Sequence, residues 1–236
     1  MRSYTAQREC AEGLTGADAW RSPERAKGYV VDPSGSSHAD EARIASGDAG
    51  VATRVAEARV IENPVSGERI IIRQSGAQTN GELLAFDLYL PPGGHVPAGH
   101  AHPVQQERFT VIAGTIRFRL GRRSFLACPG ETITIPPGAA HWFGNAGDEV
   151  AHARVEVRPA LRMEELFETT EAIGQEPGVR GGGLARLGWL ADLSLIVLEF
   201  QRELAVPHVP ARLVKVALAP LAWLGRIRAA ARASGA

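Results

Sequence analysis

From Glu57 to about Pro159 the chain runs in short stretches of β-branched and apolar residues separated by Gly and Pro turns. Arg59 to Ile61 and Arg69 to Arg73 flank a turn at Pro64 to Gly67. Leu83 to Leu90 ends at Pro91-Pro92-Gly93-Gly94, and five more such stretches follow: Arg108 to Ala113, Thr115 to Leu120, Glu131 to Ile135, His141 to Asn145 and Val150 to Arg158. Side chains alternate across a strand, so Ile116, Phe118 and Leu120 share one face and Arg117 and Arg119 the other. Many short strands at this spacing predict a β-sandwich or barrel and not a parallel α/β sheet.

The period changes after Pro159. Met163, Leu166 and Phe167 recur at i, i+3, i+4, which predicts a helix. A Gly-rich joint at residues 178–183 precedes an apolar segment from Leu184 to Leu204 that Pro207 and Pro210 bring to an end. A last helical stretch runs from Ala211 to Ala233, where Pro220 is expected to kink or divide it. Ahead of the strands, residues 1–56 are rich in Gly, Ser, Ala, Asp and Arg and keep no period, so a low-order segment is expected there. The chain thus divides into an N-terminal segment (1–56), a β-rich unit (57–160) and a helical extension (161–236).

Charge narrows the classes. The 26 basic and 26 acidic side chains cancel, leaving no global field to attract nucleic acid. No helix-turn-helix pattern, P-loop, GxSxG elbow or GxGxxG in a βαβ context is present. The two cysteines, Cys10 and Cys128, sit outside any CxxC pair and are expected as reduced thiols. Met1 to Gly16 lacks the apolar core of a signal peptide, and Leu187 to Phe200 is too short to span a bilayer. A soluble cytoplasmic protein is the expectation.

The chemistry concentrates after Gly94. His100 and His102, one residue apart, lie on the same side of a strand and can bind one ion together. Glu107 shares its side of the next strand with Phe109 and Val111, so its carboxylate reaches out from an apolar wall. His141 opens a strand after a Pro-Pro-Gly turn and completes the set. Three imidazoles and one carboxylate suit one divalent Fe, Mn, Co, Ni, Cu or Zn ion, and not Ca or Mg. Four protein ligands leave an octahedral ion two open positions.

These residues stand in two spaced patterns. The first is Gly94, five residues, His100-Ala101-His102, four residues, Glu107, six residues, Gly114. The second is Gly130, five residues, Pro136, one residue, Gly138, two residues, His141, three residues, Asn145. Both resemble the two motifs of the cupin superfamily at every named position. The resemblance implies a small antiparallel jelly-roll β-barrel with His100, His102, Glu107 and His141 as metal ligands. The sequence is also similar to bacterial single-domain cupins of unassigned function that carry a helical tail. Motif correspondence covers Gly94 to Asn145, and leaves both flanks unexplained.

Alternation with the ligands gives the expected pocket. Phe109 and Val111 follow Glu107, while Phe143 and Asn145 follow His141. Gln105 is placed either to hydrogen-bond a metal-bound ligand or to cap the motif loop. Such a lining suits a small organic molecule. Three functions fit: a metal-dependent dioxygenase, for which quercetinase-like cupins offer a precedent; a metal-dependent isomerase; or a non-enzymatic module that binds a metal or small molecule. The C-terminal stretch carries Leu213, Val214, Leu218, Leu221, Trp223, Leu224 and Ile227 with five basic residues. Packing is the commoner use of such a stripe, so it is expected as a helix on the barrel or on a second subunit of a homodimer, with a basic helix at an anionic membrane as the alternative.

Overall fold

The computed structural model describes residues 30–32, 59–176 and 182–234. Ten strands alternate with tight turns: β1 (Val30–Asp32), β2 (Val60–Glu62), β3 (Arg69–Gln74), β4 (Leu84–Leu90), β5 (Gln106–Ala113), β6 (Ile116–Leu120), β7 (Arg123–Ala127), β8 (Thr132–Ile135), β9 (His141–Asn145) and β10 (Ala151–Arg158). Three helices follow, α1 (Met163–Gly174), α2 (Gly183–Glu199) and α3 (Ala211–Ser234). No described helix is long and apolar enough to cross a membrane.

The strands form two antiparallel sheets. Seven run in the order β1-β8-β5-β10-β4-β3-β2, and three in the order β7-β6-β9. In the larger sheet β2, β3 and β4 follow one another, but β10 lies between β4 and β5, as in a jelly roll. Alternation decides which residues meet between the layers. Ala151, Ala153, Val155 and Val157 of β10 are wholly buried. Phe109 of the large sheet meets Phe118 and Phe143 of the small one with ring centroids 5.2 and 5.0 Å apart. That aromatic contact locks the two sheets face to face.

Gly114, expected as a motif turn, has φ +72°, and an added Cβ would stand 2.7 Å from Ala151 Cα. Only glycine satisfies both the left-handed turn and the close approach of β10.

Some elements differ from the expectation. β7 left only a short signal in the sequence, because its first two residues, Arg123 and Ser124, are polar and exposed and only Phe125 and Ala127 of its five residues are buried. Val30–Asp32, inside the predicted low-order segment, pairs with β8. The rest of that segment and most of the Gly-rich joint lie outside the described residues. Pro220 does not divide the last helix. It sits on the exposed side, where the carbonyl it leaves without a donor is open to water. Cys128 is buried and disulfide-bonded, which corrects the expectation of a reduced thiol. Cys10 lies outside the described residues.

Candidate metal centre

The two motifs come together through backbone pairing. His100 N–H donates to His141 O at 2.9 Å, and His141 N–H donates to His100 O at 2.8 Å. This bridge sets both imidazoles at one end of β9, where β5 delivers Glu107 from the facing sheet. One donor atom from each of His100, His102, Glu107 and His141 lies within 4.8 Å of the others. His102, Glu107 and His141 are buried.

Each ring is oriented by its other nitrogen. Nδ1 of His100 donates to Ala98 O at 3.1 Å, Nδ1 of His141 to Ala139 O at 3.0 Å, and Nδ1 of His102 to Glu203 O. Carbonyls only accept, so the proton of each neutral ring resides on Nδ1 and the Nε2 lone pair is free. Glu107 Oε2 stands 2.9 Å from His141 Nε2 and 3.3 Å from His102 Nε2. These three buried atoms have no hydrogen-bond partner. Lone pairs converging on a carboxylate repel unless a cation lies among them, so the residues fit a bound metal ion.

The electrostatics call for a cation beside Glu107, a metal ion or, without one, a proton on His102. Burial, with the neighbouring His141 and His102, pushes His100 down to about 3, so its ring is neutral. Burial opposes charge on Glu107, yet His102 and His141 outweigh it and hold its carboxyl well below the usual range. Burial opposes charge on His102 as well, and the Glu107 carboxylate raises its pKa against that. The Glu107 carboxylate is thus held as an anion against its burial, with positive charge favoured beside it.

A cavity of about 310 Å³ opens onto this cluster. Phe86, Leu88, Phe109 and Phe143 form its sheet side, while Met163, Leu166 and Phe167 of α1 and Leu193, Ile196 and Val197 of α2 close it. Phe109 and Phe143 therefore stand where alternation put them. Gln105, Val111 and Asn145 do not line it. Gln105 precedes β5, so the strand period does not extend to it; its Nε2 donates to Pro159 O and Ala160 O at 3.0 and 3.1 Å. Val111 and Asn145 share the phase of Glu107 and His141 but lie four residues further along, roughly 13 Å away. Val111 is packed in the core. Asn145 holds the β9 turn by donating to Leu90 O and Glu149 O and accepting from Gly147 N–H.

Two other histidines fall outside. His152 stacks on Tyr89 with ring centroids 4.3 Å apart and approaches Asp87 at 3.4 Å, on the outer side of the large sheet. Exposed His95 lies near Trp142, which also carries the Arg119 guanidinium over its ring.

Two contributors left no signal in the sequence. Glu68 lines the cavity; Ser66 Oγ–H donates to its Oε2 at 2.7 Å, and burial raises its pKa beyond what that bond lowers. Glu203 supplies the carbonyl that orients His102 from 101 residues away.

The Cupin domain family model matches residues 86–157, the segment from β4 to β10 that holds all four donor residues. A search of curated proteins found no match. Among solved structures, a Klebsiella pneumoniae protein with a double-stranded β-helix domain is 23% identical, over 39% of this chain and 76% of that one, with a TM-score of 0.35. A sugar phosphate isomerase of the cupin superfamily from Silicibacter pomeroyi is 18% identical, over 43% and 71%, with a TM-score of 0.39. An oxalate decarboxylase from Lactobacillus farciminis is 22% identical, over 43% and 31%, with a TM-score of 0.37.

Proposed function

We propose that this protein, matched by the Cupin domain family model over residues 86–157, binds one divalent transition metal through His100, His102, Glu107 and His141 and acts there on a small, largely apolar organic molecule. The observation that carries this reading is the convergence of four donor atoms, three of them buried without a hydrogen-bond partner, at the floor of an apolar cavity. A redox-active ion held in this set supplies dioxygen chemistry, and we assign the reaction class as dioxygenase-like oxidation.

The chain's own residues do the rest. Phe86, Phe109, Phe143 and Phe167 exclude water and hold the apolar body of the substrate. Ala98, Ala139 and Glu203 carbonyls keep the imidazoles in the one tautomer that presents Nε2. Glu68 is a polar handle on the wall, able to donate a hydrogen bond while protonated. A cavity of this size with so few polar groups selects against sugars and phosphates.

A second reading rests on Glu68. A carboxyl whose pKa is raised, facing the same cavity, is suited to moving a proton on a bound carbonyl compound, which is isomerase chemistry with the ion as Lewis acid.

The test begins with elemental analysis of protein purified without added metal or affinity tag, beside His100→Ala. About one equivalent of Fe, Mn, Ni or Cu in the wild type, lost in the variant, supports the site. Oxygen uptake is then followed with enols, β-diketones and flavonols. Consumption dependent on substrate and metal supports oxidation. Turnover without oxygen, abolished by Glu68→Gln, gives the site to isomerisation. A loaded protein that binds these compounds and converts none is a binding module. Failure to bind any transition metal on reconstitution refutes the assignment.

A further inference from the structure

Helix α3 is apolar on two sides, and only one of them is used. On the inner side Ala222 and Gly225 are buried against α2. An added Cβ at Gly225 would stand 2.7 Å from Ala191 O, and one at Gly188 would meet the Arg228 guanidinium. These contacts make α2 and α3 an antiparallel hairpin, with Arg228 turned toward buried Asp192 at 3.4 Å.

The other side is bare. Leu213, Val216, Trp223 and Ile227 are 56, 75, 64 and 46% exposed. With exposed Pro220 they recur at intervals of three, four, three and four residues, one line about 20 Å long down the helix. Exposed Leu184 and Leu187 of α2 add apolar surface at the end of the hairpin where Gly188 meets Arg228. Arg212, Lys215 and Arg226 are exposed as well. At about 100° per residue they fall within roughly 60° of one another, beside the Trp223 edge of the stripe. The helix contains no Asp or Glu.

We propose that this face of α3 seats the protein on an anionic membrane surface, lying in the interface with Leu213, Val216, Trp223 and Ile227 among the acyl chains and the three cations among lipid phosphates. Charge decides between occupants. A second copy of α3 laid on the stripe brings cations against cations, with no acid on either helix to answer them. Lipid phosphates answer all three. An indole and guanidinium groups at the border of an apolar stripe are the usual equipment of an interfacial helix. The proposal is independent of what happens in the metal cavity.

The test uses the full chain in co-sedimentation with vesicles of phosphatidylcholine alone and of phosphatidylcholine with phosphatidylglycerol. The protein pellets with the anionic vesicles, less so as salt rises, and stays in solution with the neutral ones. Each exposed cation near such a surface contributes about a fivefold factor, so Lys215→Gln with Arg226→Gln binds about thirty-fold more weakly. Trp223→Ser also weakens binding. All three side chains are exposed, and unchanged thermal unfolding confirms that the variants fold. Absence of binding to anionic vesicles at low salt overturns the proposal, as does equal binding to both compositions. A dimer in sedimentation equilibrium that Trp223→Ser dissociates, without vesicle binding, assigns the stripe to a second copy instead.

Discussion

Glu107→Gln separates the two cations able to satisfy the cluster, a metal ion and a proton. In the metal-free protein the Glu107 carboxylate faces His141 Nε2 at 2.9 Å and His102 Nε2 at 3.3 Å. If those rings are neutral, with their protons on Nδ1, a buried anion confronts two lone pairs. An amide in its place removes the charge and donates one N–H toward His141, a gain of about 1 kcal/mol. With EDTA present, Glu107→Gln therefore melts no lower than the wild type. Metal inverts the order. At a concentration of one hundred times Kd, the wild type gains about 2.7 kcal/mol, which raises Tm by roughly 5–10 °C in a chain of this size. Losing the anionic ligand weakens binding at least as much as losing an outer-shell partner, about 100-fold. The same metal concentration then stabilises the variant by only about 0.4 kcal/mol. If instead a proton on imidazole answers Glu107, the cluster is a buried ion pair, and removing one member costs about 3–5 kcal/mol. Thermal unfolding of both proteins, with EDTA and with saturating Mn²⁺ or Zn²⁺, decides the matter. A metal-free variant melting roughly 10 °C below the wild type, or equal metal-induced shifts in the two proteins, would falsify the reasoning.

Three further outcomes follow from the same structure. Ala205→Pro removes the N–H that donates to Ala101 O at 2.8 Å, loosening the segment whose Glu203 carbonyl orients His102. Metal affinity by calorimetric titration falls about 10–100-fold with the strand content of the circular dichroism spectrum unchanged, and unaltered affinity contradicts the orienting role. Gly114→Ala forces φ +72° on an alanine and a Cβ to 2.7 Å from Ala151 Cα, costing about 2–4 kcal/mol in denaturant unfolding; the protein that still folds keeps its metal affinity. Asp87 is buried, which favours its neutral form, but hydrogen bonds from Arg154 and Arg73 outweigh that and lower its pKa. A depressed carboxyl stabilises the fold fully above its unfolded value of 3.8 and loses that contribution as pH falls through the lower folded value. Because both guanidinium groups are nearly half-exposed, Asp87→Asn costs only about 1–2 kcal/mol at neutral pH. Its urea midpoint approaches that of the wild type as the pH is lowered through this range, and a constant gap at every pH refutes the linkage.

The strands that bury every second residue were legible because alternation is a local property. Ile116, Phe118 and Leu120 announce β6 without reference to anything else. The same rule located Phe109 and Phe143 in the cavity. Gln105 precedes β5 and so lies beyond its alternation, while Val111 and Asn145 stand apart from the cavity lining, because phase fixes the side a residue faces and not its depth along the strand. Spacing put His100 and His102 on one side, but no local rule tells that His100 pairs through its backbone with His141. Motif resemblance carried that step. Glu68, Glu203 and the cover provided by α2 were illegible for a different reason: they act through long-range packing, and their own surroundings in sequence are ordinary.

The helical extension is physically part of the metal site. Strands β5 and β9 and the connection between β4 and β5, which carries His100 and His102, bring the four donors together, yet His102 takes its orientation from a carbonyl beyond α2, and Ala101 pairs in both directions with Ala205. Met163, Leu166 and Phe167 of α1 and Leu193, Ile196 and Val197 of α2 give the cavity an apolar wall facing the strands. Arg162 ties that cover down, pairing with Glu165 and Glu199 and lying over the Phe200 ring, while Glu203 accepts from its backbone N–H. On the proposed function, the four donors would govern whether a metal binds, and the helices which molecule reaches it. Substitutions at Leu193, Ile196 or Val197 should consequently change substrate size preference without changing metal content, whereas substitutions at the four donors should change both.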